Sequence, residues 1–384
     1  MILPPLSLYV HLPWCVQKCP YCDFNSHAAG DSAPRQRYLE ALLADLENEV
    51  SRGAGRTIDN IFLGGGTPSL FSPEEIGQLL HGVRANFNVA ETAEITMEAN
   101  PGTVECGAPA GYRDAGVNRL SFGGQSFSDE LLKKIGRIHS GNDIARAVND
   151  ARDAGINNIN IDLMHGLPGQ SLTAALGDIQ SAIDLNPDHI SWYQLTLEPN
   201  TIFYARPPAD LPDEDTTWEI QEQGCALLAE HGFRQYEVSA YARDERRCRH
   251  NLNYWLFGDY LAVGAGAHGK ITSAAGVARF VKPANPLQYM KTVEAGEPGP
   301  APLAVEEAAL TFEFMLNALR LTEGFTEKGF CERTGQSAAQ LHAVMGPVVK
   351  KGLIVREGEA AWRPTSLGRR FLNDLQAEFL PDRS

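Results

Sequence analysis

Several features are missing from this sequence, and each absence removes a class of function. No run approaches the ~20 apolar residues that cross a bilayer, and the opening MILPPLSLYVHLPW has prolines and no basic stretch of the secretory kind. A soluble, cytoplasmic chain with no transmembrane segment is expected. Cations are scarce: 33 Lys and Arg stand against 48 Asp and Glu, a net charge of -15 that repels polyphosphate. No nucleic acid partner is expected. A disulfide framework is missing too, since the seven cysteines are odd in number and three crowd between positions 15 and 22. The others, Cys106, Cys225, Cys248 and Cys331, lie scattered and receive no role. The glycine-rich GGGTPS lacks the Gly-Lys-Ser/Thr ending of a phosphate loop.

What is present is a repeating pattern. Short apolar runs at 6–12, 60–64, 94–99, 118–123, 158–163 and 189–197 alternate with longer segments of helical period. Six such βα units make an open doubly wound sheet or an incomplete (β/α)6 TIM-type barrel. Helix starts are marked by Ser72 before Pro73-Glu74-Glu75 and by Ser128 before DELLKKI. Beyond the sixth run come a Pro-rich stretch, a helix over about 213–231 and a strand-like YEVSAYA. GDYLAVGAGAHGK is glycine-rich and reads as a loop. Its GAGAHG fits G-x-G-x-x-G but has no convincing helix after it and no acid about 20 positions on, so dinucleotide binding is not expected. His268, within it, either lines the site or faces solvent. KPANP and EAGEPGPAPLA mark a linker. The expected division is a barrel over 1–240, a linker region over 241–304, and a smaller helical, winged-helix-like domain over 305–384 with a hairpin in KKGLIVREGEAAWRPT.

The cysteine triplet follows the first strand directly, as C-x3-C-x2-C at Cys15, Cys19 and Cys22. Pro13, Pro20 and Asp23 make the segment a turn-rich loop rather than core. Structural zinc takes four ligands, and no Cys or His at matching spacing completes the set; His27 is the one local candidate. An iron-sulfur cubane held by three cysteines leaves one iron open to an outside ligand. A [4Fe-4S] cluster is the expected metal.

Polar residues then recur at carboxyl ends of strands: GGGTPS, Glu98 in MEANPG, Gln125 in SFGGQSF and Asp162 in NIDLMHGLPGQ. Strand-end groups converge on one mouth of a barrel, which favours the barrel over the open sheet. With the triplet, these motifs resemble the radical S-adenosylmethionine superfamily, whose cofactor chelates the open iron. The resemblance implies that Tyr9, Gly65, Gly66, Thr67, Glu98, Gln125, Arg137 and Asp162 contact S-adenosylmethionine.

YVHLPWC, GGGTPS, EANPGT, QSF, DLMHGLPGQ and LTLEPNT together resemble the oxygen-independent coproporphyrinogen III oxidase family. The segment after Val305 is similar to that family's C-terminal domain. The oxidases carry a further cysteine two residues after the triplet, where this chain has Phe24, and a long N-terminal extension, whereas here the triplet starts at Cys15. RRCRHNLNYWLFGDY holds His250, Asn251, Tyr254 and Trp255 as H-N-x-x-Y-W, which resembles the HemW-type haem chaperones, where the motif is associated with haem binding. An imidazole can ligate haem iron, aromatics can cover the macrocycle, and Arg246, Arg247 and Arg249 can pair with propionates. The plainer alternative makes Tyr254 and Trp255 core aromatics and His250 a satisfied polar residue. Covalent haem is not indicated, because no C-x-x-C-H occurs.

The resemblance thus implies a haem chaperone of porphyrin metabolism. Its partners are haem and haem-acceptor proteins, with transient contact at membrane-bound acceptors and an open oligomeric state. The alternative is a coproporphyrinogen III oxidase using the same cluster for radical decarboxylation.

Overall fold

A computed structural model describes residues 2–30, 33–102, 108–297, 299–358 and 360–381; Cys106 lies outside them. Six parallel strands form where the apolar runs predict them: β1 (Leu6–Leu12), β2 (Ile58–Gly65), β3 (Val89–Ala99), β4 (Arg119–Gln125), β5 (Asn158–His165) and β6 (His189–Gln194). Their apolar side chains are buried on the helix-facing side, as in β3, where Ala93, Ile95 and Met97 alternate with Glu94, Thr96 and Glu98 on the opposite face. That second face encloses a polar lumen.

Helices return the chain between strands, and their starts are chemically marked. Ser72 and Glu75 form a reciprocal capping box on Pro73–Asn86, Ser140 and Asp143 another on Gly141–Asp153, and Ser128 caps Asp129–Lys134.

The sheet extends beyond the six units at both edges. A hairpin of β7 (Arg234–Glu237) and β8 (Ala240–Ala242) adds antiparallel to β6. On the other side, the segment expected to be a loop contains β9 (Asp259–Val263), which runs parallel to β1 from Leu6↔Asp259 to Val10↔Val263. β10 (His268–Ser273), β11 (Gly276–Val281) and β12 (Leu303–Ala304) follow, giving the twelve-strand order β12-β11-β10-β9-β1-β2-β3-β4-β5-β6-β8-β7. This corrects the loop expectation. Five residues opening on a buried Asp, between glycines, read as a turn, yet Asp259 is fixed by Arg56, Lys270 and Thr272 inside the protein. The first four residues of GAGAHG turn between β9 and β10, and His268, which opens β10, is exposed.

The C-terminal part packs helices Glu307–Ala318, Glu327–Thr334 and Ala338–Lys350 against a three-stranded sheet containing the expected hairpin, Ile354–Glu357 with Ala361–Pro364. Its core gathers Phe314, Phe325, Phe330, Met345 and Trp362. Phe257, from the barrel side, joins that core against Phe314. Among the described residues no helix is long and apolar enough to cross a membrane.

Candidate functional site

The cysteine loop is held at both feet. Trp14–Cys15 pairs in parallel with His27–Ala28, so Cys15 sits at the rim of the barrel and the chain from 16 to 26 bulges over it. Lys18 Nζ donates to the carbonyls of Phe24 (3.1 Å) and Ser26 (3.2 Å), and the Cys22 amide donates to the Cys19 carbonyl (3.2 Å). Asn25 ties the loop to the β9–β10 turn and the segment after β11, donating to the carbonyls of Ala265 (2.9 Å) and Ala284 (2.8 Å). From below, His11 Nε2 donates to the Asn25 carbonyl (2.9 Å) while its Nδ1 accepts from the Tyr9 hydroxyl (2.8 Å). Burial lowers the His11 pKa, which suits this neutral tautomer.

Cys15, Cys19 and Cys22 are all half-buried, and none is in a disulfide. Burial pushes the Cys15 thiol up to about 11, and the neighbouring Cys22 and Cys19 add to the rise. Cys15 and Cys22, which burial makes unfavourable as bare thiolates, stand with Cys19 on one loop, an arrangement that suits a multinuclear cation.

Beside the loop stands a cradle made by glycine. Gly65 has φ +117, and a Cβ there would lie 2.4 Å from the His11 ring. At Gly66 a Cβ would fall 2.6 Å from the Trp14 carbonyl oxygen. The backbone can pass beneath the cysteines only without side chains. The Gly65 amide donates to Glu98 (3.0 Å). Thr67 accepts from Asn100 Nδ2 (3.1 Å), and Asn100 Oδ1 accepts from Arg137 (2.6 Å), whose guanidinium also reaches the Gly123 carbonyl (2.7 Å) and lies 3.7 Å from Cys19 Sγ. Gln125, at positive φ, accepts from the Tyr193 hydroxyl (2.9 Å). Deeper in the lumen Asp162 accepts from Ser121 (2.9 Å) and Asn160 (2.8 Å).

The structure therefore brings the three cysteines together with Gly65, Gly66, Thr67, Glu98, Gln125 and Arg137 at the mouth, with Asp162 deeper in the lumen and Tyr9 just below. Asn100, His11, Asn25 and Tyr193 also build this site without having been singled out in the sequence. Asn100 had a signal, since it follows Glu98 by two in EANPG and so repeats the strand's period. Asn25 had none, because its partners lie far along the chain.

Glu98 carries a testable electrostatic consequence. Burial and then the Asp162 charge raise its carboxyl, against the Gly65 N–H and the His250 charge, to about 7. A carboxyl whose folded pKa exceeds the unfolded value takes up protons on folding, so its contribution is most favourable below about 4.5 and is lost as pH rises toward 7. Without ligands, wild type should therefore lose stability relative to Glu98→Gln as pH rises from 5 to about 7. Paired urea unfolding curves of the two proteins check this; a constant gap across that range refutes it.

The H-N-x-x-Y-W residues lie elsewhere. They form the plug helix, Arg249–Trp255, which meets β3 at Glu94, about 13 Å along the strand from Glu98 at ~3.3 Å per residue, while Phe62 links His250 (4.0 Å between centroids) to Tyr9 (5.6 Å). His250 is 5% exposed and stacks on Phe62 with centroids 4.0 Å apart; Cys248 Sγ lies 3.0 Å from its Nδ1 and 3.4 Å from its Nε2, and Glu94 lies 3.7 Å from Nδ1. Burial disfavours its charge, but Cys248 and Glu94 outweigh it and raise its pKa to about 9. Tyr254 meets His250 and Tyr260 edge-on, and Trp255 lies beneath the Arg320 guanidinium at 4.3 Å. Asn251 is half-buried on the same helix. The three arginines expected at propionates already have partners: Arg246 with Asp188, Arg247 with Glu323, and Arg249 with the Thr92 carbonyl.

Comparison with known proteins places this architecture. Residues 9–178 match the radical SAM superfamily and residues 305–371 the HemN C-terminal domain. Over 381 residues, covering 99% of both chains, the sequence is 49% identical to a protein of Escherichia coli K12 named heme chaperone HemW. The chain belongs to the HemW family. A Bacillus subtilis protein of the same name is 36% identical over 97% of this chain and 99% of its own. Among solved structures, coproporphyrinogen III oxidase HemN of Escherichia coli, a radical SAM enzyme, superposes with TM-score 0.82 and 25% identity, covering 98% of this chain and 90% of that one. The α/β core with a C-terminal helical domain is thus the HemN-like radical SAM fold, and its sheet is the mixed one described above.

Proposed function

We propose that this HemW-family chain is a cytoplasmic haem chaperone that binds haem and passes it to acceptor proteins. In this reading Cys15, Cys19 and Cys22 hold a [4Fe-4S] cluster. Tyr9, Gly65, Gly66, Thr67, Glu98, Gln125, Arg137 and Asp162 receive S-adenosylmethionine, and His250, Asn251, Tyr254 and Trp255 serve haem. The observation that carries it is end-to-end similarity to a protein named heme chaperone, at 49% identity over 99% of both chains.

The residues at the mouth suit both groups. The cluster would offer an open iron and, when reduced, one electron. The protein's own part is positional: Asn25 and His11 hold the loop, the bare Gly65-Gly66 backbone leaves room beside it, and Arg137 brings positive charge to the Cys19 sulfur. Buried Glu98 and Asp162 offer carboxylates to a cationic ligand such as an amino group or sulfonium.

At the other end, haem ligation by His250 requires the plug helix to lift, since both Cys248 and Phe62 occupy the ring's surroundings when it is seated.

A second reading, coproporphyrinogen oxidation, draws on the HemN superposition. Against it, an exposed Phe24 stands where the oxidases carry their further cysteine. Two anaerobic assays on the reconstituted protein separate them. Haem titration should give a saturable spectrum that weakens in His250→Ala, whereas coproporphyrinogen with S-adenosylmethionine should give no protoporphyrinogen. Product formation would establish the oxidase, and an unchanged haem titration would remove His250 as ligand.

A further inference from the structure

At the closed end of the lumen, three potential metal ligands from two distant parts of the chain converge. Glu94 comes from β3, and Cys248 and His250 from the start of the plug helix; all three are more than nine-tenths buried. Cys248 Sγ lies 3.0 Å from His250 Nδ1, Glu94 Oε1 lies 3.7 Å from that nitrogen, and Sγ lies 3.9 Å from Oε1. A tetrahedral ion with bonds of about 2.0 Å to N and O and 2.3 Å to S sets its ligand atoms about 3.3–3.6 Å apart, so this triangle straddles the required size. We infer that, with the plug helix seated, Glu94, Cys248 and His250 form a mononuclear site for a borderline-soft divalent cation of the zinc class, separate from the cysteine loop and given up by His250 when the helix lifts for haem.

The surroundings of the three groups also suit a cation. The ligands are already oriented: Glu94 Oε1 accepts the amides of Arg249 (2.8 Å) and His250 (3.4 Å), Phe62 fixes the imidazole plane, and Tyr236 accepts the Cys248 amide (3.2 Å). Such outer contacts tune and retain metal ligands. One thiolate, one imidazole and one carboxylate select zinc or a similar ion over calcium or magnesium. On binding, the Cys248 thiol and any imidazolium release their protons to solvent, and three protein ligands leave the fourth position open.

The test uses the full chain with C15A, C19A and C22A, so the loop takes no metal, titrated anaerobically with Co2+ alone. One equivalent should bind, with a near-ultraviolet thiolate-to-cobalt charge-transfer band and visible bands of a tetrahedral ion. Adding Cys248→Ser should abolish the charge-transfer band, and adding Cys331→Ser should leave it intact. Adding Glu94→Gln, which keeps the shape and the amide-accepting oxygen, should weaken binding at least about tenfold. Absence of saturable cobalt binding, or a band that survives Cys248→Ser, overturns the proposal. Should Cys248→Ser not fold by circular dichroism, Glu94→Gln decides alone, unchanged affinity counting against the site. Cys248→Ser retains every H-N-x-x-Y-W residue, so haem titration of the same protein tells failure of this site from failure of the chaperone reading.

Discussion

Replacing any one of Cys15, Cys19 and Cys22 with alanine should take iron, after anaerobic reconstitution, from about four atoms per chain to near none, with the brown colour lost. The effect is all-or-none because the remaining pair of thiolates cannot hold a cubane that already spares one iron. Far-ultraviolet circular dichroism should not change. The loop's feet are fixed by backbone bonds, His27 N–H to the Pro13 carbonyl (2.7 Å) and Ala29 N–H to the Cys15 carbonyl (2.8 Å), which need no sulfur. Cys331→Ala, in a C-terminal helix, is the control and should keep full iron content. Cluster assembly on a chain lacking Cys19 would show that the triplet is not the ligand set.

Asp259→Asn should destabilise the fold by about 3–5 kcal/mol, the range for breaking a buried ion pair from one side. Asp259 is fully buried and accepts from Arg56 (2.7 Å), Lys270 (2.9 Å), the Thr272 amide (2.9 Å) and the Thr272 hydroxyl (2.8 Å). Burial works against its charge, but Lys270 and Arg56 hold its carboxyl below the usual range. An amide of the same shape leaves the Lys270 ammonium, 1% exposed, without its counter-charge. The loss should narrow as pH rises. Burial lowers Lys270 toward about 8 even beside Asp259, and without the carboxylate the lysine sheds its proton more readily, so folding of the variant is increasingly favoured at high pH. Urea unfolding at pH 7 and pH 9 measures both effects; a loss under 1 kcal/mol at pH 7 would mean the network does not hold the hairpin to the barrel.

The six strands were legible because their helix-facing side chains are buried and apolar, as Ile159, Ile161 and Leu163 are, and the intervening helices announced themselves through Ser72 and Ser128. β9 was hidden for the opposite reason: its meaning depends on Lys270 and Arg56, which sequence proximity does not reveal. β3 begins at Val89, five residues before the run that marks it, since Glu91 and Thr92 give its outer half a polar look. The mouth was legible through strand-end polar residues, each at the end of an apolar run. The setting of His250 was not. Its neighbours Phe62 and Glu94 belong to strands more than 150 residues earlier, and only the closed lumen brings them to it.

The position of β1 has a consequence for how the protein comes into being. It lies between β2 and β9, and its partner Asp259 is encoded roughly 250 positions after Leu6, while Asn25 waits for Ala284. A nascent chain on the ribosome can close the β1–β2 pair early but leaves the other edge of β1, and the free end of the cysteine loop, unpartnered until most of the polypeptide has emerged. On the cluster reading proposed above, iron-sulfur loading would fall at the end of synthesis, and a prematurely terminated product would carry the three cysteines with no finished seat for them.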